Sequence, residues 1–316
     1  MRYALDPAMP VLLRPDGAVQ IGWDPRRAVL VCPPTGLTPG GLYAVLRAMA
    51  APMALDRVRR LAATYGLTDA DRFSSLLAEL VAAGVLRPDA DDTRQAGRAL
   101  SIRVHGDGPL SALLADGLRC SGARVGRTAH ANAGSPNGVD LVVLADALAA
   151  DPKLVRELQG AGVPHLPVLV RDGAGVVGPL VIPGLTSCLS CTDLHRTDRD
   201  PAWPALTAQL REVVGTADRP TLLATAALAL GQLQQIIAAV RGVGRGAPPP
   251  APATLNTSVE VDVATHTIRA RRWVRHPLCG CWPGTGNGNG TGRRPGSNST
   301  SARLRATTRS DAASDD

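Results

Sequence analysis

The sequence predicts an α/β protein in two parts, a small strand-and-helix module at the front and a larger domain built on a parallel sheet. Three observations carry this expectation. Residues 11–83 run from short apolar strands into three helical repeats. From Leu100 the pattern changes to alternating strands and helices. Two cysteine pairs, Cys188/Cys191 and Cys279/Cys281, then follow a strand and a hairpin. The chain has 316 residues, 45% of them hydrophobic, enough for two cores made mostly of Leu, Val, Ala and Ile, since it holds a single Phe.

In the front module, "VLLRPDGAVQIGW" places a Pro-Asp-Gly turn between two apolar runs, and "RAVLVC" adds a further strand, so a small antiparallel sheet is expected. Three helices are expected at about 39–50, 54–65 and 69–83. Pro52 separates the first two; Gly66 ends the second and Thr68 caps the third. In the third, Phe73, Leu76, Leu77, Leu80 and Val81 recur at i, i+3, i+4, i+7 and i+8 and form one apolar face. The pattern looks like a winged helix over residues 1–90. "RPDADDTRQAGR" then reads as a linker.

The second part, residues 98–283, opens with "LSIRVHGDGPLSALLADGLRCSGARV", which reads strand, glycine turn, helix, strand. "DLVVLAD" is a continuous apolar strand of the kind buried on both faces. Asp151 caps a helix with Pro152 at its first position and Gly160 at its end, and "VPHLPVLV" supplies the next strand. Helices are expected at 205–214 and 221–241. The second is apolar but carries Gln232, Gln234 and Gln235, so a buried helix fits it better than a membrane span. "GVGRGAPPPAPA" is a connector, and "TSVEVDVATHTIRARRWVRHP" alternates as a hairpin. Residues 284–316 hold almost no large apolar residue and are expected to be a disordered tail.

The net charge of +7 is almost entirely arginine, because Lys153 is the only lysine. The excess gathers around Arg269–Arg275 and in the last thirty residues rather than on a reading helix, and aromatic stacking surfaces are scarce at 3% FWY. The expected third helix exposes Asp69, Asp71, Arg72 and Glu79, a net negative face that phosphates would repel, so DNA is disfavoured. The N-terminal residues lack the uninterrupted apolar core of a secretory signal, so a cytoplasmic protein is expected.

Cys188 and Cys191, separated by 87 residues from Cys279 and Cys281, allow three readings: a redox pair, small buried residues, or one tetrahedral four-thiolate zinc site. In a reducing compartment the metal reading leads, and the zinc would be structural. Cys32 and Cys120 sit inside apolar patterns and are expected to be small core residues. His195 and His276 flank the pairs as bystanders.

These motifs carry a resemblance. A βαβ unit with a glycine turn, a strand ending in Asp, "GVPHLPVLVRDGAGVVGPLVIPGLTSCLSC", an Ala-rich helix and a closing Cys pair after "HP" resemble the E1-like superfamily of ThiF and MoeB adenylating proteins. More narrowly, the front module fused to "CLSCTDLHRTDRDPAWP" and "HPLCGCW" looks like the leader-peptide-binding partner proteins of azole-peptide (TOMM, or bacteriocin cyclodehydratase) biosynthesis. The resemblance implies a nucleotide site, and the residues depart from its pattern. Gly106 and Gly108 match the first two glycines of G-x-G-x-x-G, but Ser111 replaces the third. No acid follows the strand at 123–125 to hold a ribose, and Ala147 stands where an Asn is usual. Asp146 matches the family's acid near metal and phosphates; taken alone it reads as a solvated strand end.

The site is thus expected to be vestigial (Gly106, Gly108, Asp146), with no catalytic residue and no ATP. In related modules a leader peptide adds as a strand beside the small sheet. Mapped here, the edge would be Arg27 to Cys32, with Arg27, Val29, Val31, Arg72, Ser75 and Glu79 as the peptide-binding residues. The expectation is a non-catalytic adaptor that presents a ribosomally made precursor peptide to a YcaO-type cyclodehydratase, with pairing of two copies through the 221–241 helix also implied. An adenylating enzyme acting on a sulfur carrier or peptide C-terminus, and a zinc-stabilised winged-helix regulator, are the alternatives.

Overall fold

The computed structural model describes residues 2–89, 99–129, 134–211, 213–242 and 251–281. Most of the expected linker and of the Pro/Gly connector, residues 130–133, and the expected tail lie outside these residues. The chain divides into two compact units, residues 1–96 and 97–316.

In the first unit, β1 (Arg2–Leu5) precedes β2 (Val11–Leu13), β3 (Val19–Ile21) and β4 (Val29–Val31), then come α1 (Pro39–Ala48), β5 (Met53–Ala54), α2 (Leu55–Thr64), α3 (Ala70–Ala82) and β6 (Leu86–Asp89). They form two small antiparallel sheets, ordered β5-β1-β6 and β2-β3-β4. The first was not legible in the sequence because its short strands are brought together by pairing far along the chain. The α3 stripe is buried as expected, with Phe73, Leu76, Leu77 and Leu80 packed among Val19, Ile21, Leu42 and Leu46. The cap differs by one residue. Asp69, not Thr68, accepts the Arg72 N–H, because the Thr68 hydroxyl donates instead to the Thr35 carbonyl.

The second unit is a seven-stranded mixed sheet, in chain order β7 (Ser101–His105), α4 (Pro109–Leu118), β8 (Arg124–Thr128), β9 (Leu141–Ala145), α5 (Pro152–Gly160), β10 (His165–Arg171), β11 (Ala174–Val177), α6 (Leu189–Thr197), α7 (Trp203–Gln209), α8 (Arg219–Gly242), β12 (Thr257–Asp262) and β13 (Thr267–Arg272). The spatial order is β13-β12-β11-β10-β9-β7-β8. The β8, β7, β9 and β10 strands run parallel, and the remaining three join antiparallel. After β7 the chain goes first to one side, as β8, and then to the other, as β9. That reversal opens a crevice at the strands' C-terminal ends, where doubly wound sheets bind ligands.

The core explains the sequence pattern. Every residue of β9 is buried, because α4 and α8 cover one face of the sheet and α5 the other. By length and composition α8 could cross a membrane, but its Ala226, Ala229, Leu233 and Ile237 are buried in the sheet's main core. Asp151 caps α5 through the Lys153 N–H, as its Asp-Pro start requires.

Candidate functional site

Cys188 is the extended residue that caps α6, and Cys191 lies in that helix's first turn. The second pair arrives on the turn after β13, which is tightened by a Cys279 N–H bond to the His276 carbonyl. These two pieces bring the four sulfurs within 4.8 Å of one another. The Sγ separations are 3.7 Å for Cys188–Cys191 and 3.5 Å for both Cys188–Cys279 and Cys191–Cys281. All three far exceed a disulfide bond, which is about 2.05 Å. They match the edge of a sulfur tetrahedron, which is about 3.8 Å for Zn–S bonds of about 2.3 Å.

The surroundings suit such an ion. Cys188, Cys191 and Cys279 are buried with Val181. Hydrogen bonds from Cys188 Sγ and from the His276 backbone N–H help pull the Cys191 thiol down to about 4, and its place at a helix N-terminus also favours a thiolate. The same sulfur contact and burial push Cys188 up, and burial first, then Cys191, raises Cys281 to about 11. Four sulfurs cannot all ionise in this setting without a cation. The residues therefore fit a zinc ion bound by four thiolates, with no open coordination position: an ion that folds the chain rather than one that activates water.

His195 and His276, with Asp198, form a second group of possible ligand atoms within 4.8 Å of one another, and each histidine already has a hydrogen-bond partner. The Leu278 N–H donates to His276 Nδ1, so Nε2 carries the proton and donates to Asp198 Oδ2 at 2.9 Å. His195 Nε2 donates to the Val274 carbonyl at 3.0 Å, and the two rings meet edge to face at 4.8 Å. Both tie α6 to the segment that carries the second cysteine pair.

The glycine turn corrects one expectation. Asp146 is not a solvated strand end; it is fully buried. Its backbone is left-handed (φ 73°), a conformation Asp tolerates better than most residues. In that position its carboxylate lies inside the turn after β7. It accepts N–H bonds from Gly108 (2.8 Å), Leu110 (2.8 Å) and Ser111 (3.2 Å). The first N–H groups of α4, where a bound phosphate would sit in a nucleotide-binding turn, are thus already satisfied by the chain's own anion. The glycines serve this contact: a Cβ on Gly106 would stand 2.7 Å from Asp146 Oδ2, and one on Gly108 would stand 2.6 Å from Oδ1. Beside the turn, a cleft of about 570 Å³ is lined by residues including His105, Asp107, Asp151 and Arg211.

In the first unit, β4 is the outer strand of its sheet. Val31 is buried and Val29 half-buried, so the side chain the strand shows to solvent is Leu30, 58% exposed, which the sequence reading passed over. Arg27 lies in the turn before β4, its N–H bonded to the Asp24 carbonyl. Arg72, Ser75 and Glu79 are exposed on α3, with Arg72 and Glu79 paired at 3.6 Å across two turns. Cys32 and Cys120 are exposed, not core residues as expected: each stands just past an apolar run, at the end of its element.

No family model matches the chain, and no curated protein matches it. Solved structures do match. The heterocyclase TruD superimposes with a TM-score of 0.62 at 16% identity, over 89% of this chain and 43% of TruD. A heterocyclase in complex with substrate and cofactor gives the same score and identity over 39% of its length. The chain thus spans about two fifths of these heterocyclases. E. coli MccB with ATP aligns with a TM-score of 0.56 at 13% identity over 89% of this chain and all of MccB. At such identities the likeness is one of fold.

Proposed function

We propose that the chain is a non-catalytic E1-like adaptor that binds the leader of a ribosomally made precursor peptide and presents it to a YcaO-type cyclodehydratase forming azoline rings. The observation that carries the non-catalytic part is the Asp146 carboxylate in the glycine turn. A triphosphate would have to displace a buried anion that accepts three backbone N–H bonds, and phosphoryl or adenylyl transfer depends on positive donors aimed at the phosphates. The fold shared with the heterocyclase TruD and with a heterocyclase in complex with substrate and cofactor supports the pathway.

The front unit would be the recognition module, a winged helix whose β4 edge accepts the leader as an added strand. Main-chain bonds supply affinity there, and Leu30 with the α3 groove supplies specificity. Titration with a cognate leader tests this reading. Amide shifts are expected on Arg27–Cys32 and α3, with loss of binding in Leu30→Asp; shifts confined to residues 97–281 would reject it.

The cleft beside His105, Asp107 and Arg211 favours a second reading, an adenylating enzyme. Calorimetry with ATP and Mg²⁺ separates the two. Binding together with pyrophosphate exchange would establish the enzyme, and the adaptor shows neither.

A further inference from the structure

The arginine-rich hairpin end has no part in the reading above. Residues directly opposite on paired strands share a face, so the register Leu169–Val176–Glu260–Arg269 sets Arg171, Glu260, Arg269, Arg271 and Trp273 on one side of the sheet. That side is the one away from α8, whose Thr225 packs on Gly175. Over it lie Arg196, at 5.0 Å from the Trp203 ring and 5.1 Å from the Trp273 ring, and Arg199 beyond the end of α6. Arg271 stacks on Trp273 at 4.0 Å.

Positive charge is in excess here. Asp193 pairs with Arg196 and Glu260 with Arg171, and Asp262 feels the charge of Arg269, whereas Arg199 and Arg271 have no ion pair among the described residues. Burial holds both Arg196 and Arg271 below the usual arginine range; neighbouring guanidiniums add to this at both, and Asp193 opposes it at Arg196.

The hairpin's backbone adds a second feature. β13 is the outermost strand. Trp273 donates its N–H to the Asn256 carbonyl, so by alternation Arg269 and Arg271 bond toward β12, whereas Ile268, Ala270 and Arg272 aim their N–H and C=O groups outward. Ile268 is 68% exposed on the face opposite the arginines.

We infer that this edge is a docking site for an extended acidic segment of a partner protein, added as an eighth strand, with carboxylates at alternate positions facing Arg269 and Arg271 and aliphatic side chains facing Ile268 and Ala270. Arginine prefers carboxylates in bidentate pairs, and an open strand edge is a template for main-chain pairing. The inference is independent of the leader-binding edge in the first unit.

Fluorescence anisotropy on the full zinc-loaded chain tests it, with a labelled peptide alternating Glu and Val as the probe and a peptide of the same residues in two blocks as the control. The alternating peptide is expected to bind at least tenfold tighter than the control. Arg269→Glu and Arg271→Glu are each expected to weaken it tenfold or more, and the double variant to prefer a peptide alternating Lys and Val. Ala270→Pro removes an outward N–H while leaving the β12 ladder intact, and is expected to abolish binding at unchanged zinc content. Equal binding of the control, full binding by Ala270→Pro, or duplex DNA outcompeting the peptide at equal charge would each overturn the inference.

Discussion

The thiol cluster and the glycine turn are two ion grips in one domain, and they differ in what completes them. At the cysteines four acidic groups converge with no ion-pair partner among the described residues, so the pocket fits a metal that would complete it. At the turn, backbone donors converge and Asp146 completes them. A motif read from spacing reports convergence alone. Whether a ligand is needed depends on whether the chain supplies the opposite charge itself.

Removing the metal from the first grip should have the largest effect on the molecule. Structural zinc in small peptide domains is worth about 10–16 kcal/mol of apparent binding energy, all of it coupled to folding. One zinc per chain is expected by elemental analysis, with a chelator or Cys191→Ser lowering the melting temperature of the second unit by more than 10 °C, on the order of several kcal/mol. An unchanged melting curve after complete metal removal would make the two grips alike, both complete without a ligand.

The second grip should break less severely. Asp146→Ala leaves three N–H groups without their acceptor, at a cost of about 3 kcal/mol if roughly 1 kcal/mol is lost for each. Denaturant melts would measure the loss. The same variant should gain weak pyrophosphate affinity by calorimetry, because emptied N–H donors at a helix N-terminus attract anions. Gly108→Ala should cost about 1–3 kcal/mol, because its Cβ would collide with the carboxylate. If Gly108→Ala proved neutral, the carboxylate would not be held against the turn in solution.

Sequence reading saw these regions unequally, for physical reasons. The convergence of the four cysteines was legible because two short cysteine spacings after a strand and a hairpin leave few other uses for buried thiols. The α3 face and the Asp151-Pro152 start of α5 were legible because periodicity and capping act within one turn. Asp146 was misjudged because its role depends on a left-handed backbone and on donors 35 to 38 residues away, neither of which spacing encodes. The short strands β1, β5 and β6 escaped because sheet pairing far along the chain, not local pattern, makes them strands. Cys32 looked buried because it follows the apolar run of β4, and Cys120 because apolar α4 precedes it, but it lies in the exposed turn after that helix.

A smaller effect sharpens the contrast between satisfied and unsatisfied groups. His165 opens β10 and is fully buried. Its Nδ1 donates to the Val163 carbonyl, so Nε2 holds a bare lone pair, and no described residue pairs with it. Burial makes the charged ring costly, and its pKa is lowered from 6.5 for that reason, with the Val163 bond opposing. For a base whose folded pKa is depressed the sign is fixed. Above pH 6.5 the ring is neutral in both states and costs nothing; below it, the unfolded chain takes up a proton that the folded chain refuses. Stability should therefore fall as pH drops below about 6.5, with a slope approaching 1.4 kcal/mol per pH unit from this residue. His165→Gln should flatten that slope in urea melts between pH 5 and 7, and the slope in the parent chain supplies the reference. An unaltered slope in His165→Gln would place the acid sensitivity elsewhere, with the clustered thiols as the next groups to test.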